Sequence, residues 1–380
     1  MNILILGGDG FCGWPTSLRL ARAGHIVTIA DNLARRAVDL KLSSASLTDI
    51  APVATRLATA RDHVGEIDFR LLDVAQDPGG LRALIAECRP DAIVQFAEQR
   101  AAPYSMLGDA ERRYTIDNNV TGTHNVLSAI VDVDPEIHLV HLGTMGVYGY
   151  SREFGAIPEG YLKVEIAQTG NEAEILYPAN PGSVYHMTKC LDQLLFQFYV
   201  KNWGLKVTDL HQGVVWGIET EETRLDPRLV NRFDYDGIYG TVINRFISQT
   251  ANGHPLTVYG TGGQSRAFIH IQDTARCVQL ALEAPPEGRK VRIFNQVAEV
   301  QSVRGLAEIL RDTYGADIAF VDNPRKELPE NDLEVDNTGL RSLGFEPITL
   351  TAGLVEDVRL IAERTAAKFD TDNVLNSPTW

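Results

Sequence analysis

This chain is poor in the residues that build cross-links and metal cages. Its four cysteines, Cys12, Cys88, Cys190 and Cys277, are scattered, without the short spacings that hold a metal or staple a small secreted domain. They read as reduced and mostly packed, although Cys12, at the start of a helix, is placed where a thiol pKa falls. The nine histidines show no ligand spacing either; His138 and His141 share one strand and read as packing residues. No metal is expected. Basic residues are outnumbered, 35 Lys and Arg against 50 Asp and Glu, which leaves a net charge of −15. Such a chain has no basic face for nucleic acid, so any phosphate it binds must be met by local arginines. No apolar run approaches the ~18 residues that span a bilayer, and the chain opens on a strand rather than a charged, apolar leader. The expectation is a cytoplasmic enzyme with neither membrane nor nucleic acid as partner.

What is present begins at the first residues. The apolar run 2–6 is followed by Gly7-Gly8-Asp9-Gly10-Phe11-Cys12-Gly13 and a helical pattern from Trp14 to Ala23, stopped by Gly24. The spacing Gly8-x-Gly10-x-x-Gly13 makes a tight turn that lets a pyrophosphate approach the backbone at a helix N-terminus. A second strand, 25–30, ends in Asp31-Asn32, eighteen residues after Gly13, where a ribose hydroxyl needs an acceptor. Asp31 would repel a 2′-phosphate, while Arg35 and Arg36 are near enough to attract one. NAD is favoured. The run Phe69 to Val74 reads as a further strand whose Asp73 either meets the adenine amino group or caps a helix.

Tyr185 and Lys189, four apart, share one face of a helix from Ser183 to about Tyr199. A phenol titrates near ~10, so it is a poor base at neutral pH unless positive charge beside it favours the phenolate. Lys189 and an oxidised nicotinamide would both supply that charge, Lys189 while also holding the nicotinamide ribose. The strand 138–142 leads into Thr144, whose hydroxyl would bond the oxygen that Tyr185 deprotonates.

Strands and helices alternate through about residue 145, which predicts an α/β fold: a doubly wound parallel sheet with a second, smaller substrate-binding α/β lobe. Residues 1–216 and 265–284 read as the dinucleotide domain, and 217–264 with 285–380 as the nucleotide-sugar domain. Helix is read over 121–131 and strand over 91–96 and 255–259. Residues 150–182 are expected to be an excursion over the sugar site, 217–240 a lid, and the tail 370–380 loosely ordered.

These features resemble the extended short-chain dehydrogenase/reductase family, which includes nucleotide-sugar epimerases and dehydratases, over nearly the whole chain. The segments 8–14, 31–36, Glu98 to Met106, Gly143-Thr144-Met145-Gly146 and Asp234-Tyr235-Asp236 are similar to its sulfite-using branch. The resemblance implies tightly held NAD, UDP-glucose or a related nucleotide sugar, sulfite as second substrate, and a homodimer joined through the Tyr185 helix. It makes Thr144, Tyr185 and Lys189 the oxidation triad, adds Met145 and His186 to the catalytic set, and brings Arg100 near the sugar. Asn119, Gln212, Arg245, Arg266 and Arg325 become candidates for the UDP-sugar, since guanidinium forks suit phosphate oxygens. Gly7, Gly10, Phe11, Cys12, Gly13, Asp31, Asn32, Arg35, Arg36, Asp73 and Val74 form the cofactor set. Val147 departs from the pattern, in which a Glu often stands there and could assist dehydration. Met145-Gly146 replaces the Asp-Glu of dehydratases that yield a 4-keto-6-deoxy sugar and argues against that product. The alternatives are an epimerase or 5,6-dehydratase that ignores sulfite, and a non-catalytic NAD sensor, against which the intact Tyr185 and Lys189 count.

Overall fold

Ile3 and Ile5 of β1 (Asn2–Leu6) enter one hydrophobic cluster, and Leu4 and Leu6 enter another. Both faces of the strand are buried, as its unbroken apolar run requires. In this computed structural model, which describes residues 1–380 apart from 43, 45, 150–154, 326–327, 366–367, 375–378 and 380, β1 lies inside a seven-stranded sheet. It pairs in parallel with β2 (Ile26–Asp31) on one side, and β2 with β3 (Ile67–Leu71). On the other side stand β4 (Ala92–Gln95), β5 (His138–Thr144), then the strands Lys206–Gln212 and Arg292–Gln296, all parallel. Strand order reverses between β1 and β4, and a crevice opens there at the carboxyl ends of the strands. Among the described residues no helix is long and apolar enough to cross a membrane.

Several boundaries differ from the sequence reading. The helix read over 121–131 runs over Asp109–Val133, because its first half buries Thr115, Asn118 and Asn119 and so hides the apolar period. The strand expected at 69–74 ends at Leu71, and Asp73 already lies in the following turn.

The second lobe is built on a four-stranded sheet around Gly263–His270 and on a parallel pair, Leu256–Tyr259 with Ile318–Val321. Its core gathers Trp216, Phe233, Phe246, Phe268, Leu306 and Leu354. Two segments change sides relative to the expected domains. Arg292–Gln296, read as part of the second lobe, is the edge strand of the large sheet, whereas Gly263–His270 belongs mostly to the small one. A short strand carries no local mark of the partner it will pair with. Of the expected excursion, residues 150–154 lie outside the described residues; Tyr161–Ile166 and Asn171–Leu176 form an antiparallel hairpin tied by Tyr161 Oη to Val291 O at 2.9 Å.

The supposed lid at 217–240 is a fixed wall. Ile218, Leu229 and Phe233 are fully buried, and the segment is pinned to the glycine loop region by Trp14 Nε1 donating to Leu229 O and Asn231 Nδ2 donating to Phe11 O, each at 2.9 Å. Of the tail, residues 375–378 and 380 lie outside the described residues, and its start is docked on that wall: Val374, in the short helix Thr371–Val374, is buried, and Asn373 O accepts from Gly237 N at 2.9 Å. Two or three buried contacts in a polar segment leave no periodic signal.

Candidate active site

The glycine loop closes as its spacing requires. Gly7 has φ +81°, and a Cβ on Gly13 would come within 2.2 Å of Gly7 O. The first turn of α1 (Gly13–Arg22) therefore presses against the loop, and its N-terminus opens into the crevice. Cys12 sits at that N-terminus, yet burial pushes its thiol up to about 12, so desolvation wins over the expected helix-end effect. Its Sγ faces Gln212 Oε1 at 4.0 Å.

At the end of β2 the Asp31 carboxylate accepts from Asp9 N at 2.9 Å and Leu33 N at 2.7 Å, which fixes it at the crevice rim. Asn32 Nδ2 donates to Asp73 Oδ2 at 2.9 Å. Asp73 Oδ1 also accepts from Ala75 N and Gln76 N, so Asp73 serves the turn, while the helix that follows, Pro78–Cys88, is capped by Asp77. Arg36 donates two bonds to Asp9, and Arg35 is paired with Asp39 and Asp234. Neither guanidinium is left to meet a 2′-phosphate. Arg36, turned onto Asp9, thereby favours NAD over NADP.

One open cleft gathers much of the predicted site. Gly7, Gly10, Phe11, Cys12 and Gly13 line it with Asp31, Asn32, Arg35 and Val74, and so do Arg100, Tyr185, Lys189 and Gln212. The glycine cradle, which a Cβ would fill, and the rim carboxylate fit a dinucleotide with an unphosphorylated ribose. Tyr185 is set by its helix, Val184–Trp203, whose Ser183 cap accepts from His186 N at 3.1 Å, while Ser105 Oγ accepts from Tyr185 N at 3.1 Å. Segment 98–106, singled out in the sequence, thus seats the start of the Tyr185 helix.

Other predicted residues lie outside this lining. Thr144 ends β5 and its hydroxyl accepts from Gly146 N at 3.1 Å. Met145 is packed with Val147, Tyr148, Ile157 and Tyr177. Because Val147 also points into that cluster, the missing Glu takes no acid away from the cleft. Asn119 is a brace, accepting from Gln99 N and donating to Gln99 O and Thr188 Oγ1. Arg245 is buried in the second lobe, its guanidinium 4.4 Å from the Tyr259 ring centroid and donating to Thr257 O at 3.2 Å. His186 lies against Gly146, where a Cβ would come within 2.2 Å of its ring. Burial, with the charges of Arg325 and Arg266, pushes its imidazole down to about 4, so it is neutral at pH 7 and those two arginines lie within its field.

Sequence reasoning missed the groups behind Lys189. Its Nζ donates to Leu142 O at 2.7 Å and pairs with Glu98 Oε2 at 2.6 Å. Glu98 Oε1 lies 2.9 Å from His141 Nε2, and His141 Nδ1 lies 2.8 Å from Asp209 Oδ1. Asp209 Oδ2 reaches His211 Nε2 at 2.9 Å, and His211 Nδ1 reaches Tyr148 Oη at 2.6 Å. Glu98, His141 and Asp192 could together hold a metal ion, their donor atoms lying within 4.8 Å of one another, but the Lys189 ammonium already supplies the cation there. The available signal was Asp209 and His211, two polar residues two apart inside a buried parallel strand.

The family described as NAD dependent epimerase/dehydratase matches residues 3–296. The UDP-sulfoquinovose synthase of Spinacia oleracea, named as chloroplastic, is 41% identical over 385 residues, covering 100% of this chain and 79% of the relative. That of Sulfolobus acidocaldarius is 40% identical, covering 95% of this chain and 91% of the relative. Among solved structures, the UDP-glucose 4-epimerase of Thermotoga maritima with UDP-glucose superposes with a TM-score of 0.71 at 21% identity, covering 96% of this chain and 99% of that one. The UDP-glucuronic acid 4-epimerase of Bacillus cereus with UDP-glucuronic acid and NAD gives 0.68 at 21% identity, over 96% and 99% of the two chains. At that identity the superpositions speak for the fold.

Proposed function

This chain belongs to the NAD dependent epimerase/dehydratase family, and we propose that within it the protein makes UDP-sulfoquinovose from UDP-glucose and sulfite. The observation that carries an oxidation at sugar carbon is the meeting of Tyr185 and Lys189 with the glycine loop and Asp31 in one cleft. The choice of sulfonation over epimerisation rests on the 41% and 40% identity to two synthases of that name across almost the whole chain.

Bound NAD would accept hydride from C4 and later give it back. Tyr185 takes the C4 hydroxyl proton as the C4 hydrogen leaves, with Lys189 beside it favouring the phenolate. Thr144 is assigned to the same oxygen. The resulting ketone acidifies the C5 hydrogen, water is lost across C5 and C6, and sulfite adds at C6 as a proton returns to C5. Hydride then returns to C4 and the proton to its oxygen, so no external oxidant is consumed. His186, neutral at pH 7, is assigned to the sugar end, where it can take or give one proton; Arg266 and Arg325, whose charges bear on it, are assigned to the diphosphate. A homodimer fits the exposed row Met187, Leu191, Leu194 and Phe198 on the Tyr185 helix, in which Leu194 and Phe198 are 58% and 53% exposed.

The test is to incubate the protein with UDP-glucose and sulfite in deuterated water and to read product mass and C5 exchange. The expected product is a sulfonated UDP-sugar with exchange at C5. Conversion without sulfite and without C5 exchange would replace this reading with 4-epimerisation, and exchange with sulfite ignored would make the protein a 5,6-dehydratase.

A further inference from the structure

Lys189, Glu98, His141 and Asp209 form one unbroken row of ionisable groups in the interior, each in contact with the next. Both ring nitrogens of His141 face carboxylate oxygens, at 2.9 Å to Glu98 and 2.8 Å to Asp209. A neutral imidazole protonated at Nδ1 could accept at Nε2 from Lys189 Nζ, 3.2 Å away, but would turn that lone pair toward the nearer Glu98 Oε1 at 2.9 Å, so the geometry favours the imidazolium. Burial and Lys189 oppose that charge, but the two carboxylates outweigh them and push His141 up to about 9. Burial likewise works to raise Glu98, and Lys189 with His141 holds it below the usual carboxylate range. Asp192, on the Tyr185 helix 3.6 Å from His141 Nε2, is pushed up to about 8 by burial and by Glu98, and so is mostly uncharged at pH 7. His211 and Tyr148 continue the row beyond Asp209. Four buried groups therefore alternate in sign, and their charges sum to zero.

We propose that Glu98, clamped by the His141 imidazolium, is a positioning residue that aims Lys189 and offsets its charge, leaving the bound oxidised nicotinamide to supply the net positive charge that ionises Tyr185. The proposal rests on the assignment of Tyr185 and Lys189 as the proton-transfer pair, and adds to it. An unopposed lysine would favour the phenolate in every state of the site. A lysine balanced by Glu98 makes base strength follow the cofactor, so that the phenol holds its proton whenever the nicotinamide has lost its charge. That suits a cycle in which a proton and a hydride taken from C4 must both be kept and returned.

The experiment titrates Tyr185 directly by the ultraviolet absorbance of tyrosinate, as the difference between NAD-loaded protein and its Tyr185→Phe counterpart. Glu98→Gln, which removes the offsetting charge but keeps an acceptor for Lys189, is expected to lower the titration of Tyr185 by about one pH unit. His141→Asn removes a positive charge and is expected to raise it by a similar amount. Opposite shifts cannot come from a loss of packing, which has no sign. Titrations that stay where the unaltered protein has them, or that move together in one direction, would overturn the proposal and leave Glu98 and His141 as structural ties. Because no turnover is read, a protein that fails to convert UDP-glucose yet gives the opposed shifts would refute the functional reading while this one stands.

Discussion

Arg36 donates two bonds to Asp9, Nε to Oδ2 at 2.6 Å and Nη2 to Oδ1 at 2.9 Å, and so holds its charge against the glycine loop. Buried Arg56 shares the same carboxylate at 2.7 Å and stacks on Trp14 at 3.9 Å. If Asp31 meets the ribose, cofactor choice should depend on two carboxylates, Asp31 and Asp9 behind the arginine. Asp31→Ala should weaken NAD about tenfold, the worth of one charge-assisted hydrogen bond, with no gain for NADP while Arg36 stays on Asp9. Adding Asp9→Asn should free Arg36 and let NADP bind. Calorimetric titration with both dinucleotides decides it; NADP binding to the single variant as tightly as NAD contradicts the account.

Tyr185→Phe should lower turnover by ~10²- to 10⁴-fold and leave NAD binding unchanged, because the ring remains and only the base is lost. Lys189→Ala should differ in kind. It takes from buried Glu98 the lysine cation it pairs with, at a cost on the order of 3 to 5 kcal/mol. Thermal unfolding of the two variants separates the roles: equal melting temperatures would mean that Lys189 does not balance the network.

Asp234 accepts from Arg232 and Arg35 and pairs with Arg100 at 2.5 Å, joining the fixed wall to the cleft. Arg35 also lies over the Tyr239 ring, 3.7 Å from its centroid. Asp234→Ala leaves three guanidinium groups facing one another around a vacated carboxylate, and should cost about 3 to 5 kcal/mol in urea unfolding. NAD should also leave faster from this variant in a competition experiment. A stability within error of the unaltered protein would show that the wall is held by packing alone.

His141 gives stability a pH dependence with a definite sign. Its folded value of about 9 stands above the ~6.5 of the unfolded chain. Its contribution is therefore complete below the unfolded value and is lost as pH rises through the folded one. Asp209, held below the usual carboxylate range despite burial by His211 and His141, contributes in the opposite sense and loses its share as the medium turns strongly acid. Melting temperature should fall between neutral pH and about 9, and His141→Asn should flatten that limb. Parallel curves for the two proteins would remove His141 from the account.

Leu194→Glu together with Phe198→Glu puts two charges into the exposed row of the Tyr185 helix. If that row joins two copies, light scattering should find a monomer for the double variant and a dimer for the unaltered protein. A dimer in both would place the interface elsewhere.

The sequence by itself determined the cofactor half of the protein, and the reason is locality. Glycine spacing, a carboxylate at the end of the next strand, and tyrosine and lysine one helical turn apart each act over fewer than about twenty residues, so order along the chain becomes nearness in space. β1, α1, β2 and the Tyr185 helix accordingly fall within a residue or a few of where the pattern put them. Tertiary structure decided what depends on residues far apart. Asp9 reaches Arg36 and Arg56, Glu98 reaches Lys189, and His141 meets Asp209 only because strands distant in sequence lie side by side. No local pattern distinguishes a histidine that packs in a strand, as His138 does on Thr208, from one held charged between two carboxylates, as His141 is. Nor does Val147 reveal from sequence whether it faces the cleft or the core; packing against Met145 and Tyr148 settles that it faces the core. Charge at a buried site is a sum over neighbours, and the neighbours are chosen by the fold.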